Sequence, residues 1–245
     1  MLTYRFNGRL NYYRSIVLID YRNYLMLDFT KIYLSWRKGQ GSRRHLVGLL
    51  EKTATGGVTF SYDKQTTAEA AKDGFTPYTE LPDLEKVYDD YAMQVFSQRL
   101  MKPERPDIQS FYGFWEIDSS FQKDSFYLLG HTQALLPTDN FEMLAEYNIH
   151  PQLHFLTELA STSHRQLPAH LLQAGDELRI EKEPGNAFDT DAVKVYKATE
   201  FIGYIKKVHC KVFSQPAAQH LHLTVKAVEK NGTVKKAFIK VAFVQ

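Results

Sequence analysis

From residue 31 to residue 62 the apolar positions fall in short runs bounded by glycine: Ile32-Tyr33-Leu34-Ser35-Trp36, Leu46-Val47-Gly48-Leu49-Leu50 and Gly57-Val58-Thr59-Phe60-Ser61-Tyr62. Runs of this length, joined at Gly39-Gln40-Gly41-Ser42 and Thr55-Gly56-Gly57, predict three strands linked by hairpin-like turns. Phe75-Thr76-Pro77 and Leu81-Pro82-Asp83-Leu84 then mark a loop, with Asp83 placed as the N-cap of a helix over residues 84–91. The i, i+4 spacing of Phe96 and Leu100 predicts another helix over residues 92–100. Pro103-Glu104-Arg105-Pro106-Asp107 caps a third helix, and a fourth spans residues 125–129 before Gly130. Around Pro151 the spacing changes from helical to strand-like. Leu153-His154-Phe155-Leu156-Thr157-Glu158-Leu159 reads as one strand, followed by Leu178 and Ile180, by Ala192, Val193 and Val195, and by Phe201-Ile202-Gly203-Tyr204-Ile205.

The chain has 245 residues, 44% of them apolar, enough for two modest cores. One cysteine, Cys210, excludes a disulfide framework and most zinc sites. Ile16-Val17-Leu18-Ile19 is too short a run for a signal peptide, and no stretch has the length of a membrane span. The expectation is a soluble, cytoplasmic protein with no membrane partner. Net charge is +2 but unevenly placed. Residues 151–245 carry 13 Lys and Arg against 9 Asp and Glu, whereas residues 1–150 carry 17 against 19. A basic C-terminal part suits phosphate binding, although a solvated lysine-rich surface explains the same count. In residues 1–30, Tyr4, Phe6, Tyr12, Tyr13, Tyr21 and Tyr24 interleave with Arg5, Arg9, Arg14 and Arg22. Such interleaving can grip single strands. The plainer readings are an extra strand pair or an extension ahead of a start at Met26.

The segment with most chemistry is Glu183-Pro184-Gly185-Asn186-Ala187-Phe188-Asp189. Pro-Gly-Asn is turn chemistry, because proline pre-sets φ and Gly and Asn tolerate positive φ. Gly203 between apolar residues suggests a bulge or a close backbone approach. Asn186, Phe188 and Asp189 cluster at the loop exit. An exposed aromatic there can stack on a base. A carboxylate beside it repels phosphates but suits a strand end, since ionised Asp only accepts hydrogen bonds and a 3′-hydroxyl donates one. The structural alternative stays open: Asn186 and Asp189 satisfying turn backbone groups, with Phe188 in the core.

The pattern G-x-x-L-x-x-x-x-E-P-x-N-x-F-D-x-x-A-V-x-V from Gly175 to Val195, followed by Ile202-Gly203-Tyr204-Ile205, resembles the HIRAN domain. The resemblance implies a small β-barrel that grips the 3′ end of single-stranded DNA, with Phe188 and Asp189 at the end. The expected DNA-binding residues are Asn186, Phe188, Asp189, Tyr204, Lys206, Lys207 and Phe155. There is a departure: DNA-binding members carry an arginine followed by a tyrosine in the first strand, and here Phe155 is the nearest aromatic. The link after it, residues 161–173, is also longer than the family's.

Residues 31–145 resemble the N-terminal subdomain of HipA-family toxin kinases. The matching positions are Val47-Gly48-Leu49, Phe60 to Tyr62, Pro82, Phe96, Arg99-Leu100 and Asp124-x-Phe126-x-Leu128-Leu129-Gly130. That resemblance implies a non-catalytic unit that contacts protein partners. The kinase core needs a nucleotide lobe, a catalytic aspartate and metal ligands, and no residues remain to build it.

Other constellations carry less. Glu181, Glu183, Asp189 and Asp191, with Lys194 as base, would suit a metal-dependent nuclease, but charge alternation on a solvent-facing strand explains them. His220 and His222 lack a third ligand, and Cys210 beside His209 is only a sequence neighbour pair. The overall reading is an α+β chain: an extension over 1–30, a small N-terminal sheet with helices over 31–150, and a HIRAN-like OB/SH3-type β-barrel over 151–245. The expected role is a non-catalytic adaptor without metal or cofactor. Its partners would be single-stranded or 3′-ended DNA and a protein. The alternative is an antitoxin-like regulator of a HipA-type kinase.

Overall fold

The computed structural model describes residues 28–39 and 41–244; the aromatic-basic segment over 1–27 lies outside the described residues. Two antiparallel sheets form. The first has strands β1 (Lys31–Trp36), β2 (His45–Lys52), β3 (Val58–Tyr62) and β4 (Phe141–Ala145), in the order β3-β2-β1-β4. Alternation along β1 and β3 puts Ile32, Leu34, Trp36, Val58, Phe60 and Tyr62 on the buried face. Helices α1 (Lys64–Ala71), α2 (Tyr91–Ser97), α3 (Ile108–Trp115) and α4 (Ser125–Thr132) accompany this sheet. Aspartates start two of them: Asp63 accepts from Thr66 N at 2.6 Å and Asp124 from Tyr127 N at 3.0 Å, satisfying first-turn donors.

The second sheet holds β5 (His154–Glu158), β6 (Glu177–Lys182), β7 (Val193–Lys197), β8 (Glu200–Tyr204), β9 (Leu221–Asn231) and β10 (Thr233–Phe243). Their order is β5-β10-β9-β6-β7-β8. The sheet curls into a half-barrel until its far edges meet at one bridge, where Ala160 and Tyr204 exchange backbone hydrogen bonds of 2.7 and 3.0 Å. Gly203 makes this approach possible. Its φ is +151°, and a Cβ there would lie 2.7 Å from the Ala160 carbonyl oxygen. The close backbone approach expected at Gly203 is therefore present.

One hydrophobic cluster runs without a break from Phe29 in the first part to Val241 in the second. Across the chain junction Tyr147 stacks on Phe155 with ring centroids 3.8 Å apart, and His209 lies against both rings. A smaller cluster adds Trp115 of α3 against Phe238 of β10. Polar ties repeat the pattern. Gln215 donates to Tyr147 O and accepts from Ile149 N, Gln133 donates to Leu156 O, and Glu116 pairs with Lys226 and Lys240. The link over residues 161–173 is also packed, with Leu167 and Leu172 buried and Pro168 bridged to Thr233.

Several expectations need correction. No helix forms over residues 84–91. Tyr88 instead pairs with the β3 edge, exchanging two 2.8 Å backbone bonds with Phe60, and its ring is buried. That edge pairing overrides local helix preference, and Asp83 closes an Asx turn onto Glu85 N at 2.8 Å. The helix expected over 92–100 forms as α2, and the one expected over 125–129 continues to Thr132 in α4. Helix α1 and strand β4 were not foreseen. Among the described residues no helix is long and apolar enough to cross a membrane.

Candidate functional site

The loop between β6 and β7 is built around Asn186. Its side-chain oxygen accepts from Phe188 N at 2.9 Å and Asp189 N at 3.1 Å, and its amide donates to Glu183 at 2.7 Å. Asp189 in turn accepts from Asp191 N at 3.1 Å. Chained Asx contacts of this kind fix the backbone without burying side chains. Phe188 is consequently displayed, 81% exposed, far above any other large apolar side chain described on this half of the molecule. The core alternative for Phe188 is thereby removed, while the turn-building role of Asn186 is present. Asp189 does one such job and keeps its second oxygen unbonded among the described residues.

Glu183 anchors the base of the loop. It pairs with Lys194 at 2.5 Å and accepts from the Tyr204 hydroxyl at 3.0 Å. Lys194, with Asn186 and Tyr204, holds its carboxyl below the usual range. Burial and the neighbouring Glu183 push the Tyr204 hydroxyl up. The carboxylates weighed for a nuclease are thus dispersed: Glu183 is saturated by three donors, and Asp189 serves Asp191. Among the described residues no cluster of His, Cys, Asp or Glu has the arrangement of a metal site.

Asn186, Phe188, Asp189, Tyr204 and Lys207 line one groove of about 410 Å³, within the size range of ligand sites. Two of the expected DNA-binding residues behave differently. Phe155 is fully buried under Tyr147, so it presents no face to a base. Lys206 reaches the floor of the groove but is 1% exposed. Its ammonium donates to Gln133 at 2.6 Å and to Glu142 at 2.8 Å, with Glu158 at 3.9 Å. Alternation along a strand does not show what packs over it from another segment: Tyr147 covers Phe155, and Glu142 draws in Lys206 just past β8. Lys207, the next residue, is exposed and in no ion pair among the described residues.

Glu142 collects a further pair of cations from the β1–β2 connection. Arg44 contacts it at 3.0 Å and Arg37 at 3.4 Å. Burial alone would raise the Glu142 carboxyl. Lys206 and Arg44 outweigh it and hold the group well below the usual carboxylate range. The β1–β2 connection therefore also lines the groove, through Arg37, Arg43 and Arg44. Sequence reasoning missed these arginines. Their signal was available as the run Arg37-Lys38-Gly39-Gln40-Gly41-Ser42-Arg43-Arg44, which has four cations and no acid.

The buried histidine and cysteine beside Lys206 point elsewhere. His209 contacts Thr157 at 2.8 Å, and burial lowers it to about 3, so it stays neutral. Cys210 donates to Ile205 O, and burial pushes its thiol up to about 12. The positions that carried the HipA-like resemblance serve the fold: Arg99 is buried and clamps Asp139 at 2.5 and 2.9 Å, and Asp124 caps α4.

No curated protein matches the chain. The crystal structure of the HIRAN domain of human HLTF is similar over 38% of this chain and 77% of that chain, at 11% identity and a TM-score of 0.30. The resemblance of the N-terminal part to the HipA subdomain finds no support in these comparisons. Residues 153–243, which make up the curled second sheet and its loops, match the family model of the HIRAN domain.

Proposed function

We propose that the protein binds single-stranded DNA at its 3′ end through the groove beside the β6–β7 loop. The observation that carries this reading is Phe188: a large aromatic ring, 81% exposed, held out by the Asn186 turn beside an uncommitted Asp189 oxygen. It stands at the rim of a groove that also holds Lys207 and Lys235. The ring stacks on the terminal base, Asp189 accepts from the 3′-hydroxyl, and the cations meet the last phosphates. The HIRAN match over residues 153–243 supports the same reading. The role is binding without catalysis. It is tested by titrating the full chain with matched oligonucleotides ending in 3′-hydroxyl or 3′-phosphate. Equal affinity for both ends, or none for either, refutes it.

The first sheet and its helices then serve to bring a protein partner, which makes the chain an adaptor. Val87 and Tyr91, 64% and 48% exposed on this part, favour such a contact. A HipA-type kinase is the partner to test. Under the alternative, antitoxin-like reading, it would be the main ligand. Co-purification that recovers no kinase-like protein removes both the kinase partner and that alternative.

A further inference from the structure

The groove has walls from both halves of the molecule, and its charge is asymmetric in an unexpected direction. Residues 1–150 are acidic on balance, yet the β1–β2 connection carries four cations and no acid, and it faces the HIRAN-like half. Two of its arginines are structural, since Arg37 and Arg44 are pinned to the buried Glu142 and through it to Lys206. The connection is also held from the other side, where His164 lies 3.4 Å from Gly41 O. Gly41 has φ +86°, and a Cβ there would lie 2.9 Å from the His164 ring. Anchored at both ends, the connection displays Arg43, which is exposed and in no ion pair among the described residues. Lys207 and Lys235 are likewise exposed and unpaired among the described residues, and both line the groove. Three cations from three separate segments, each unpaired among the described residues, thus line one cleft. The same cleft is lined by Phe188, the only exposed large aromatic described for the second half.

We propose that the DNA site is composite: Arg43, from outside the HIRAN-matching segment, contacts the phosphate backbone of the strand whose end is held at Phe188 and Asp189. This rests on the 3′-end reading above and extends it across the junction. The buried Glu142 assembly sets the distance between Arg43 and Phe188, so the first sheet is part of the binding site as well as a partner surface. An arginine at this point gives a planar, bidentate donor suited to a phosphodiester. It contributes affinity without base preference.

The test uses the full chain and a 5′-fluorescein oligo-dT with a 3′-hydroxyl, read by anisotropy over a range of NaCl concentrations. Compared are the wild type, Arg43→Ala, Lys207→Ala, Phe188→Ala and the control Lys123→Ala, an exposed lysine away from the groove. Each lost phosphate contact flattens the log-log salt slope by about 0.7 on a single strand. Arg43→Ala and Lys207→Ala are each expected to flatten it by that amount and to weaken low-salt binding by roughly three- to tenfold, with Lys123→Ala unchanged. If Phe188→Ala weakens binding while Arg43→Ala matches Lys123→Ala, the site is confined to the second half and the composite proposal is overturned, with the 3′-end reading intact. If the wild type does not bind, or binds independently of Phe188, the 3′-end reading fails and the proposal falls with it.

Discussion

Lys206 and Lys207 are adjacent, identical in type and both just past the end of β8, yet they belong to two different regions of the molecule. Lys206 points down into the junction between the sheets, where Glu142 and Gln133 take its protons away from water. Lys207 points up into the open groove. The buried region is closed, built on Glu142 with three cations around it, and shared by both sheets. The open one is displayed, under-paired and rimmed by Phe188. The same residue type thus serves assembly in one place and a ligand in the other. What decides is whether a carboxylate from the other half is present, since a buried ammonium needs a partner and an exposed one does not.

The largest effect that would break this contrast is on stability. Lys206→Met leaves Glu142 buried with Arg37 and Arg44 only; removing the sole partner of a buried charge costs about 3–5 kcal/mol, and the two arginines put the expected loss at the lower end of that range. Lys207→Met should cost less than about 0.5 kcal/mol. Urea denaturation of both variants measures the difference. Because the core is continuous across the junction, both sheets should unfold in one transition. Two separate transitions, or a Lys206 variant as stable as the wild type, would show that the halves are independent and the junction weak.

Acid sharpens the same point. The folded Glu142 carboxyl lies below its ordinary value of 4.5, so it binds its proton less readily in the folded state than in the unfolded one. Its contribution is therefore fully present above that ordinary value and is lost as pH falls below it toward the folded value. The urea midpoint of the wild type should drop steadily in that range, and Glu142→Gln should flatten the drop. A midpoint with the same pH profile in both proteins would remove Glu142 from the account.

This contrast also marks what the sequence could convey. The β6–β7 turn was legible because its chemistry is local: the Asn186 side chain ties the loop backbone and so displays Phe188, although neither Gly185 nor Asn186 uses the positive φ that the sequence suggested. The strands at 32–36, 46–50 and 58–62 were legible from apolar spacing. Lys206 and Tyr88 were not, because their environments come from residues far along the chain, Glu142 and Phe60, and Phe155 was not, because Tyr147 folds back onto it across the turn at Pro151. Helix α1 was missed because its only apolar residues are the small Ala68, Ala70 and Ala71, with only Thr67 and Ala70 buried, so no apolar stripe marks it. The arginines of the β1–β2 connection read as a solvated hairpin, since nothing local shows that a groove lies across from them.

In the open region the largest effect belongs to Phe188. Phe188→Ala should cost about 1–3 kcal/mol of DNA affinity through lost stacking. It should leave the melting temperature unchanged, since an 81% exposed ring contributes little packing. Anisotropy and a thermal melt on the same variant separate the two. A lowered Tm with unchanged affinity would move Phe188 out of the open region and into the fold.

The smallest effect concerns the end itself. Asp189 already accepts from Asp191 N with one oxygen, so alanine would damage the loop and confuse the result. Asp189→Asn keeps an acceptor for that bond, removes the charge and turns the free acceptor into an amide donor. If the free oxygen receives the 3′-hydroxyl, the variant loses a charge-assisted bond worth about 1.5 kcal/mol, roughly tenfold in affinity for a 3′-hydroxyl end. A 3′-phosphate end moves the other way, because the repelling carboxylate has gone and the cations of the groove remain. The ratio of the two affinities should therefore shrink from both sides, and it is independent of how much protein in the sample is active. A ratio unchanged by the substitution would mean that Asp189 works only for Asp191, as a turn residue beside a groove that reads the strand but not its end.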